Sequence, residues 1–227
     1  MTKHRTEFIR IAKTHNPQNL AGRAALSWIS NNLDEVSDNI IRRIPEQRMG
    51  RSDLRDYCRD AGNPVEACFL TVMAWGGMRT DHLRRMWSAR EKWSSALNQL
   101  RDTSELSRKQ CFNLLWQLRR DGCLPGARAA FFTKLIFFMR EKNDGYIMDQ
   151  WTAKSINLIE VRNVVPLDGL GMVDDSVCDE HYQDFCECVE GIAGEINQSP
   201  DVTEEILMSK GGVNPEAWRA HVKTHYT

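Results

Sequence analysis

The sequence lacks three features that would each point to a class of protein: a long apolar run, a CxxC pair and a marked excess of charge of one sign. No apolar run reaches the roughly 18 residues that a transmembrane helix needs. The first fifteen residues, MTKHRTEFIRIAKTH, have no continuous apolar core of the kind found in a secretory signal. These absences predict a cytoplasmic protein with no membrane partner, and 227 residues suffice to bury a core.

Cysteine is present but in no arrangement typical of disulfides or metal sites. The count of seven is odd, and a reducing compartment favours free thiols. A zinc site formed by Cys178, His181, Cys186 and Cys188 is conceivable, but their spacing matches no common ligand pattern. We therefore expect no metal and no cofactor.

The net charge of −1 conceals an uneven distribution along the chain. Residues 1–160 contain 26 Lys and Arg against 18 Asp and Glu, whereas residues 161–227 contain 4 against 13. A basic region suits a phosphate-bearing partner such as nucleic acid. The acidic C-terminal region would repel such a partner and could instead bind a partner protein. A solvated surface of mixed charge explains the same numbers.

Helical periodicity extends over most of the chain, and alternation typical of strands is weak. Capping residues, prolines and glycines mark the predicted ends of the helices, as Ser104 does at the start and Gly122 at the end of one of them. The pattern predicts an all-α bundle of about ten helices in a single domain over residues 1–227. The predicted helices are 6–15, 19–43, 52–61, 64–75, 81–101, 104–121, 127–142, 150–159, 176–197, 201–209 and a short last helix from about 215.

Lys134 lies in the middle of the apolar stretch AAFFTKLIFFM. A helix that is apolar nearly all round is a buried helix. Burial disfavours the charged form of a lysine, and a neutral amine can attack carbon. The alternative is that the side chain extends along the edge of the core and places its ammonium group in water.

Asp149 directly precedes the next amphipathic stretch, QWTAKSI, where it is expected to be an N-cap. A carboxylate at this position accepts hydrogen bonds from the first turn of the helix. A fixed anion can also stabilise positive charge that develops in a substrate. Capping alone explains the residue, and capping and catalysis are compatible.

These pieces together resemble a known family. The chain resembles the helix–hairpin–helix DNA glycosylases in having a Pro-Gly turn, then an apolar helix with a lysine, then an Asp that caps the next helix. Within that group it is similar to the bacterial 8-oxoguanine glycosylase-like proteins in the segments FFTKLIFFM and GYIMDQWTAKSI. TVMAWGGMR (71–79) and TEEILMSKGG (203–212) also look like segments of that group.

The resemblance implies base excision in DNA repair, with hydrolase and lyase activity on an oxidised purine. Lys134 would attack the sugar and form a Schiff base, and Asp149 would stabilise the cationic sugar or activate the nucleophile. Gly126 and Arg128 would contact a phosphate, although Arg128 also suits an ordinary surface position. Trp75 and Trp151 would line a pocket for the flipped base or belong to the core.

The chain departs from the family pattern at two points. Arg128 stands where the hairpin usually has a second glycine, and Lys134 lies about one helical turn later than the usual lysine. An active-site cleft between two lobes, about 1–121 and 122–227, is expected for such an enzyme. DNA is expected as the substrate rather than RNA, and two alternatives stay open. One is a modified nucleoside or free nucleotide as the substrate, in a bacterial antiphage-defence or base-modification pathway. The other is a catalytically inactive or repurposed module that binds a modified base, a nucleotide or a protein.

Overall fold

The computed structural model describes residues 2–15, 19–102 and 105–226, and this part of the chain is all-α. It contains thirteen helices and, instead of a strand, one isolated bridge between Leu167 and Val173. The helices are α1 Lys3–Ala12, α2 Ala25–Ser30, α3 Asp38–Ile41, α4 Arg51–Arg59, α5 Val65–Trp75, α6 Thr80–Ser88, α7 Arg90–Asp102, α8 Arg108–Arg120, α9 Ala129–Met139, α10 Gln150–Glu160, α11 Asp179–Ile196, α12 Pro200–Met208 and α13 Ala217–His225.

The predicted fold class is confirmed, but two predicted helices are each divided in two. The predicted helix 19–43 is α2 and α3, because the Asn32 side chain donates a hydrogen bond to the Trp28 carbonyl at 2.7 Å and the chain turns there. The predicted helix 81–101 is α6 and α7, because the indole of Trp93 donates to the Met86 carbonyl at 2.8 Å. In a continuous helix, the Met86 carbonyl would instead accept a hydrogen bond from the backbone N–H four residues later.

The chain forms two compact units. We call residues 19–145, which contain α2 to α9, the central unit. Residues 1–18 and 146–227, which contain α1 and α10 to α13, form the terminal unit. The units divide the chain between residues 18 and 19 and between residues 145 and 146. The two lobes at about 1–121 and 122–227 stay a prediction. The active-site cleft between lobes stays a prediction.

The central unit is organised around α9, which packs against α4, α5, α7 and α8. Its sequence is apolar on all sides, and nine of its eleven residues are buried. The core is rich in aromatic pairs, such as Phe69 stacked on Trp93 at 4.2 Å and Phe112 edge-on to Phe132 at 4.9 Å. The helix that carries Lys134 is therefore a core helix.

The terminal unit is organised around α10, which packs against α1, α11, α12 and α13. Ser155 accepts a hydrogen bond from the Trp218 indole at 2.9 Å and donates one to the Leu207 carbonyl at 2.8 Å. This buried chain of bonds ties α10 to α12 and α13. The helix that Asp149 caps is therefore the centre of its own unit.

The charge difference seen in the sequence persists between the two units, although it is smaller because the basic residues 1–18 belong to the terminal unit. The central unit contains 21 Lys and Arg against 15 Asp and Glu, a net charge of +6. The terminal unit contains 9 against 16, a net charge of −7. A phosphate-bearing ligand is thus favoured by the charge of the central unit.

Candidate active site

Lys134 is buried, with 8% of its surface exposed. Its Nζ donates a hydrogen bond to the carbonyl of Ala130, one turn earlier, at 2.6 Å, and lies 5.2 Å from the centre of the Phe131 ring. The ammonium group is thus held near the start of α9 rather than extended into water. Before this amine could react, it would have to leave the Ala130 carbonyl.

Gly76 forms part of the wall against which Lys134 lies. A Cβ atom at Gly76 would stand 3.0 Å from Cδ and 3.3 Å from Cε of Lys134. Such distances are shorter than ordinary van der Waals contact, so any larger residue would displace the lysine or be displaced by it. The double glycine of TVMAWGGMR was visible in the sequence, but its contact with Lys134 was not predicted.

Trp75 precedes Gly76 and is half-buried, with its ring edge-on to Phe138 at 4.9 Å. Its indole Nε1 is buried and has no hydrogen-bond partner among the described residues. A buried unsatisfied donor carries a cost of about 1–3 kcal/mol. A ligand that accepts this hydrogen bond would relieve that cost.

The Pro125-Gly126 turn immediately precedes α9. Gly126 has φ +80°, and a Cβ there would collide with the imidazole ring of His82. Both observations explain why the position is glycine. Arg128 is the extended N-cap residue of α9, and its side chain is exposed beside the first-turn N–H groups.

Asp149 is the N-cap of α10, as predicted. Its Oδ1 accepts hydrogen bonds from the backbone N–H groups of Trp151 at 2.7 Å and Thr152 at 3.0 Å. The Thr152 hydroxyl in turn accepts from the Asp149 N–H at 2.9 Å, which completes a capping box. The bonds to the Asp149 carboxylate all engage Oδ1, and Oδ2 makes none with the described residues.

Trp151 carries two cations near its ring, so its capacity to stack on a base is reduced. The Arg219 guanidinium lies 3.9 Å and the Lys154 ammonium 4.9 Å from the ring centre. Arg219 is itself buried and donates to the carbonyls of Met208 and Ser209. Burial lowers the pKa of Arg219, and the charges of Asp149 and Glu216 act in the opposite direction.

The candidate residues divide between the units. Trp75, Gly126, Arg128 and Lys134 belong to the central unit, and Asp149 and Trp151 belong to the terminal unit. Within the central unit, one helix and the turn before it supply Gly126, Arg128 and Lys134, while the end of α5 supplies Trp75 and Gly76.

The zinc ligand set considered from the sequence does not assemble. Within the described residues, the metal-ligating side chains that lie close enough together to share an ion are those of Cys178, Asp179 and Glu180. The Cys178 thiol lies 3.1 Å from His181 at the start of α11, and Cys186 is buried. All seven cysteines are free.

The all-α fold of the described residues is consistent with the class of helical DNA glycosylase-like proteins. A family model described as "Putative 8-oxoguanine DNA glycosylase OGG-like protein" matches residues 9–208. The chain therefore belongs to this OGG-like family. No curated protein and no solved structure matches it. Among the described helices, none has the length and apolar character needed to cross a membrane.

Proposed function

We propose that the protein is an N-glycosylase that removes an oxidised or otherwise modified purine, such as 8-oxoguanine, from nucleic acid, with DNA preferred over RNA. The observation that carries the proposal is the environment of Lys134. A buried amine lies against the Gly76 backbone, next to a tryptophan with an unused indole donor. Membership in the OGG-like family supports the same chemistry.

Lys134 acts as the nucleophile. Once its ammonium group has given up a proton to Asp149 or to water, Nζ forms a bond to C1′ of the sugar, and the bond from C1′ to the base breaks with its electron pair, so that the base leaves and takes up a proton. Loss of a proton from the lysine nitrogen and opening of the sugar ring give a Schiff base. Loss of a C2′ proton then breaks the C3′–O bond, releases the phosphate and cleaves the strand, which is the β-lyase step. Water finally hydrolyses the Schiff base and frees the lysine.

Asp149 supplies a fixed carboxylate for the same reaction. The capping bonds to Oδ1 hold the side chain in place, and Oδ2 is the oxygen assigned to the substrate. Its negative charge stabilises the cationic sugar that develops as the base departs, or it accepts the proton of the nucleophile.

Substrate binding is assigned to the central unit, whose charge is +6. The first-turn N–H groups of α9, after Gly126, and the Arg128 side chain bind a phosphate. Trp75 donates its indole N–H to the extruded base. Trp151 has a lesser part, because cations already lie against its ring. A place in a bacterial defence or base-modification pathway is compatible with this activity.

One observation favours a second function. The Lys134 ammonium is bonded to Ala130, which suits a structural lysine in a repurposed module that binds a base, a nucleotide or a protein. The acidic terminal unit, with a charge of −7, would then be the surface for a basic partner protein.

Base release separates the two functions. Oligonucleotides that contain 8-oxoguanine, single-stranded or paired with cytosine, are incubated with the protein, and free base is measured by mass spectrometry and strand cleavage by gel. We expect release by the wild-type chain and by Lys142→Gln, a control at an exposed lysine of the same unit, and none by Lys134→Gln. Binding of these strands, and of matched strands with other modified purines, without release of any modified base would rule out the enzyme.

A further inference from the structure

A groove in the central unit combines arginines with an aromatic ring. It has a volume of about 530 Å³ and is bordered by Arg23, Ser27, Trp28, Asn31 and Arg48. Among the described residues that line it, two are arginines and none is acidic. Basic and aromatic side chains in one groove are the combination that binds single nucleic-acid strands.

Arg48 is fixed at the rim of this groove. Its Nε donates to the Gly22 carbonyl at 2.7 Å and its Nη2 to the Ala21 carbonyl at 3.2 Å. Its Nη1 makes no hydrogen bond with the described residues, and the side chain is exposed. The guanidinium is thus held in place while one amino group stays available to an anion.

Arg23 and Trp28 form the other part of the groove. The Arg23 guanidinium carbon lies 5.7 Å from the centre of the Trp28 ring, near the outer limit of a cation–π contact and farther than either cation at Trp151. Trp28 therefore keeps more of its ring for a base than Trp151 does. Trp28 is half-buried and Arg23 is exposed. A phosphate near Arg23 would therefore bring an adjacent base towards the Trp28 ring.

The groove adjoins the turn that supports Lys134. A Cβ at Gly77 would lie 3.8 Å from Nη2 of Arg23, and Gly76 lies against Lys134. Gly22, the neighbour of Arg23, packs so closely on Trp75 that a side chain there would overlap the indole. The groove and the candidate catalytic lysine thus share the Trp75-Gly76-Gly77 segment.

We infer that this groove binds a nucleic-acid strand beside the reaction site, with phosphates on Arg23 and Arg48 and an unpaired base stacked on Trp28. The inference extends the proposed function and depends on it for the ligand class. It assigns substrate contacts to α2 and its flanks.

The test measures binding of a fluorescein-labelled, undamaged 15-nucleotide single strand by anisotropy, over a series of salt concentrations. Trp28→Leu should weaken binding roughly 5- to 150-fold, the range for loss of one base–aromatic stack, while Trp28→Phe should keep most of the affinity. Arg23→Gln should lower the slope of log affinity against log salt by about 0.7, as for one lost phosphate contact. Lys92→Gln, an exposed lysine on α7, is the matched charge control. Thermal unfolding verifies that each variant is folded.

The proposal would be overturned if Trp28→Leu bound the strand with the wild-type affinity, or if Arg23→Gln and Lys92→Gln lowered the affinity and its salt dependence equally. A wild-type chain that binds no strand would overturn it as well. Base release is measured separately, so the two proposals can fail independently. If the protein releases 8-oxoguanine but Trp28→Leu has no effect on binding, the glycosylase activity stands and the groove is refuted. If binding depends on the groove but no base is released, the groove stands and the glycosylase activity is refuted.

Discussion

Lys134 lies against Gly76, a residue 58 positions earlier, so closely that a Cβ at Gly76 would be 3.0 Å from the Cδ atom of the lysine. The contact joins the end of α5 to the middle of α9 in the core of the central unit. It restricts the path of the lysine side chain while the Ala130 carbonyl holds the amine. The conformation of Lys134 therefore depends on the absence of a side chain at residue 76.

Gly76→Ala should impair base release more than it impairs folding. The added methyl group displaces the lysine stem, and a shift of about 1 Å in a reacting group can cost about 100-fold in rate. Overpacking of this kind destabilises by about 1–3 kcal/mol. Activity is measured in single turnover and stability by urea unfolding. Gly191→Ala is the control, because nothing lies within 4 Å of a Cβ there on α11. It should keep full activity and gain about 0.5–1 kcal/mol.

Asp149→Asn should abolish base release with little change in melting temperature. Asparagine is a good N-cap, and its side-chain oxygen can accept the bonds that Oδ1 now accepts from Trp151 and Thr152. The variant nevertheless lacks the negative charge. Asp149→Ala, which also loses the cap, should in addition lose about 1 kcal/mol of stability. Parallel losses of activity and melting temperature in the asparagine variant would indicate that Asp149 only caps the helix.

Trp75→Phe should weaken base release while leaving the fold nearly as stable as before. The indole Nε1 has no partner among the described residues, so its removal gives up no hydrogen bond of the protein. Phenylalanine retains the edge-on contact with Phe138. We expect KM for 8-oxoguanine strands to increase. The free energy of unfolding should change by at most about 1 kcal/mol. An unaltered KM would remove Trp75 from the base pocket.

The ion pair between Arg140 and Asp144 should make stability depend on acid pH. Arg140 is almost fully buried, and it donates to both Asp144 oxygens at 2.6 and 3.2 Å. Burial raises the pKa of Asp144, but the hydrogen bonds and charge of Arg140 outweigh it, so this pKa lies below its ordinary value of 3.8. The pair therefore stabilises the fold above that value, and this contribution disappears as the pH falls through the lowered pKa.

Asp144→Asn should cost about 2 kcal/mol at pH 7, less than the loss of a fully buried pair because Asp144 is partly exposed. The deficit relative to the wild type should be constant down to about pH 5 and shrink below pH 3.8. Urea unfolding over this pH range measures it. Glu141→Gln, at an exposed neighbour, should show no such trend. A deficit that is equal at pH 3 and pH 7 would exclude the ion pair as its cause.

Local signals predicted local structure well. The N-cap at Asp149 and the helix-ending glycine at Gly122, with φ +71°, were both identified from one or two residues of context. The predicted cap at Ser104 lies outside the described residues, and α8 is capped instead by Ser107. The breaks between α2 and α3 and between α6 and α7 were missed, because side-chain bonds to helix carbonyls leave no mark in the apolar periodicity.

Relations between distant residues could not be predicted from the sequence. The contact of Gly76 with Lys134 depends on how α5 packs on α9, and neither segment specifies it alone. The cations against Trp151 come from Arg219, 68 residues later, and from Lys154. By contrast, the uneven distribution of charge was visible in the sequence, and it persists between the two units.

Borohydride trapping followed by peptide mapping tests the central claim most directly. The protein is incubated with an 8-oxoguanine oligonucleotide and sodium borohydride, which reduces a Schiff base to a stable amine, and the adduct is located by mass spectrometry. We predict one covalent adduct on the peptide that contains Lys134, and none in a folded Lys134→Gln variant. An adduct on another lysine, such as Lys154, or trapping that persists in Lys134→Gln, would contradict the assignment of Lys134 as the nucleophile.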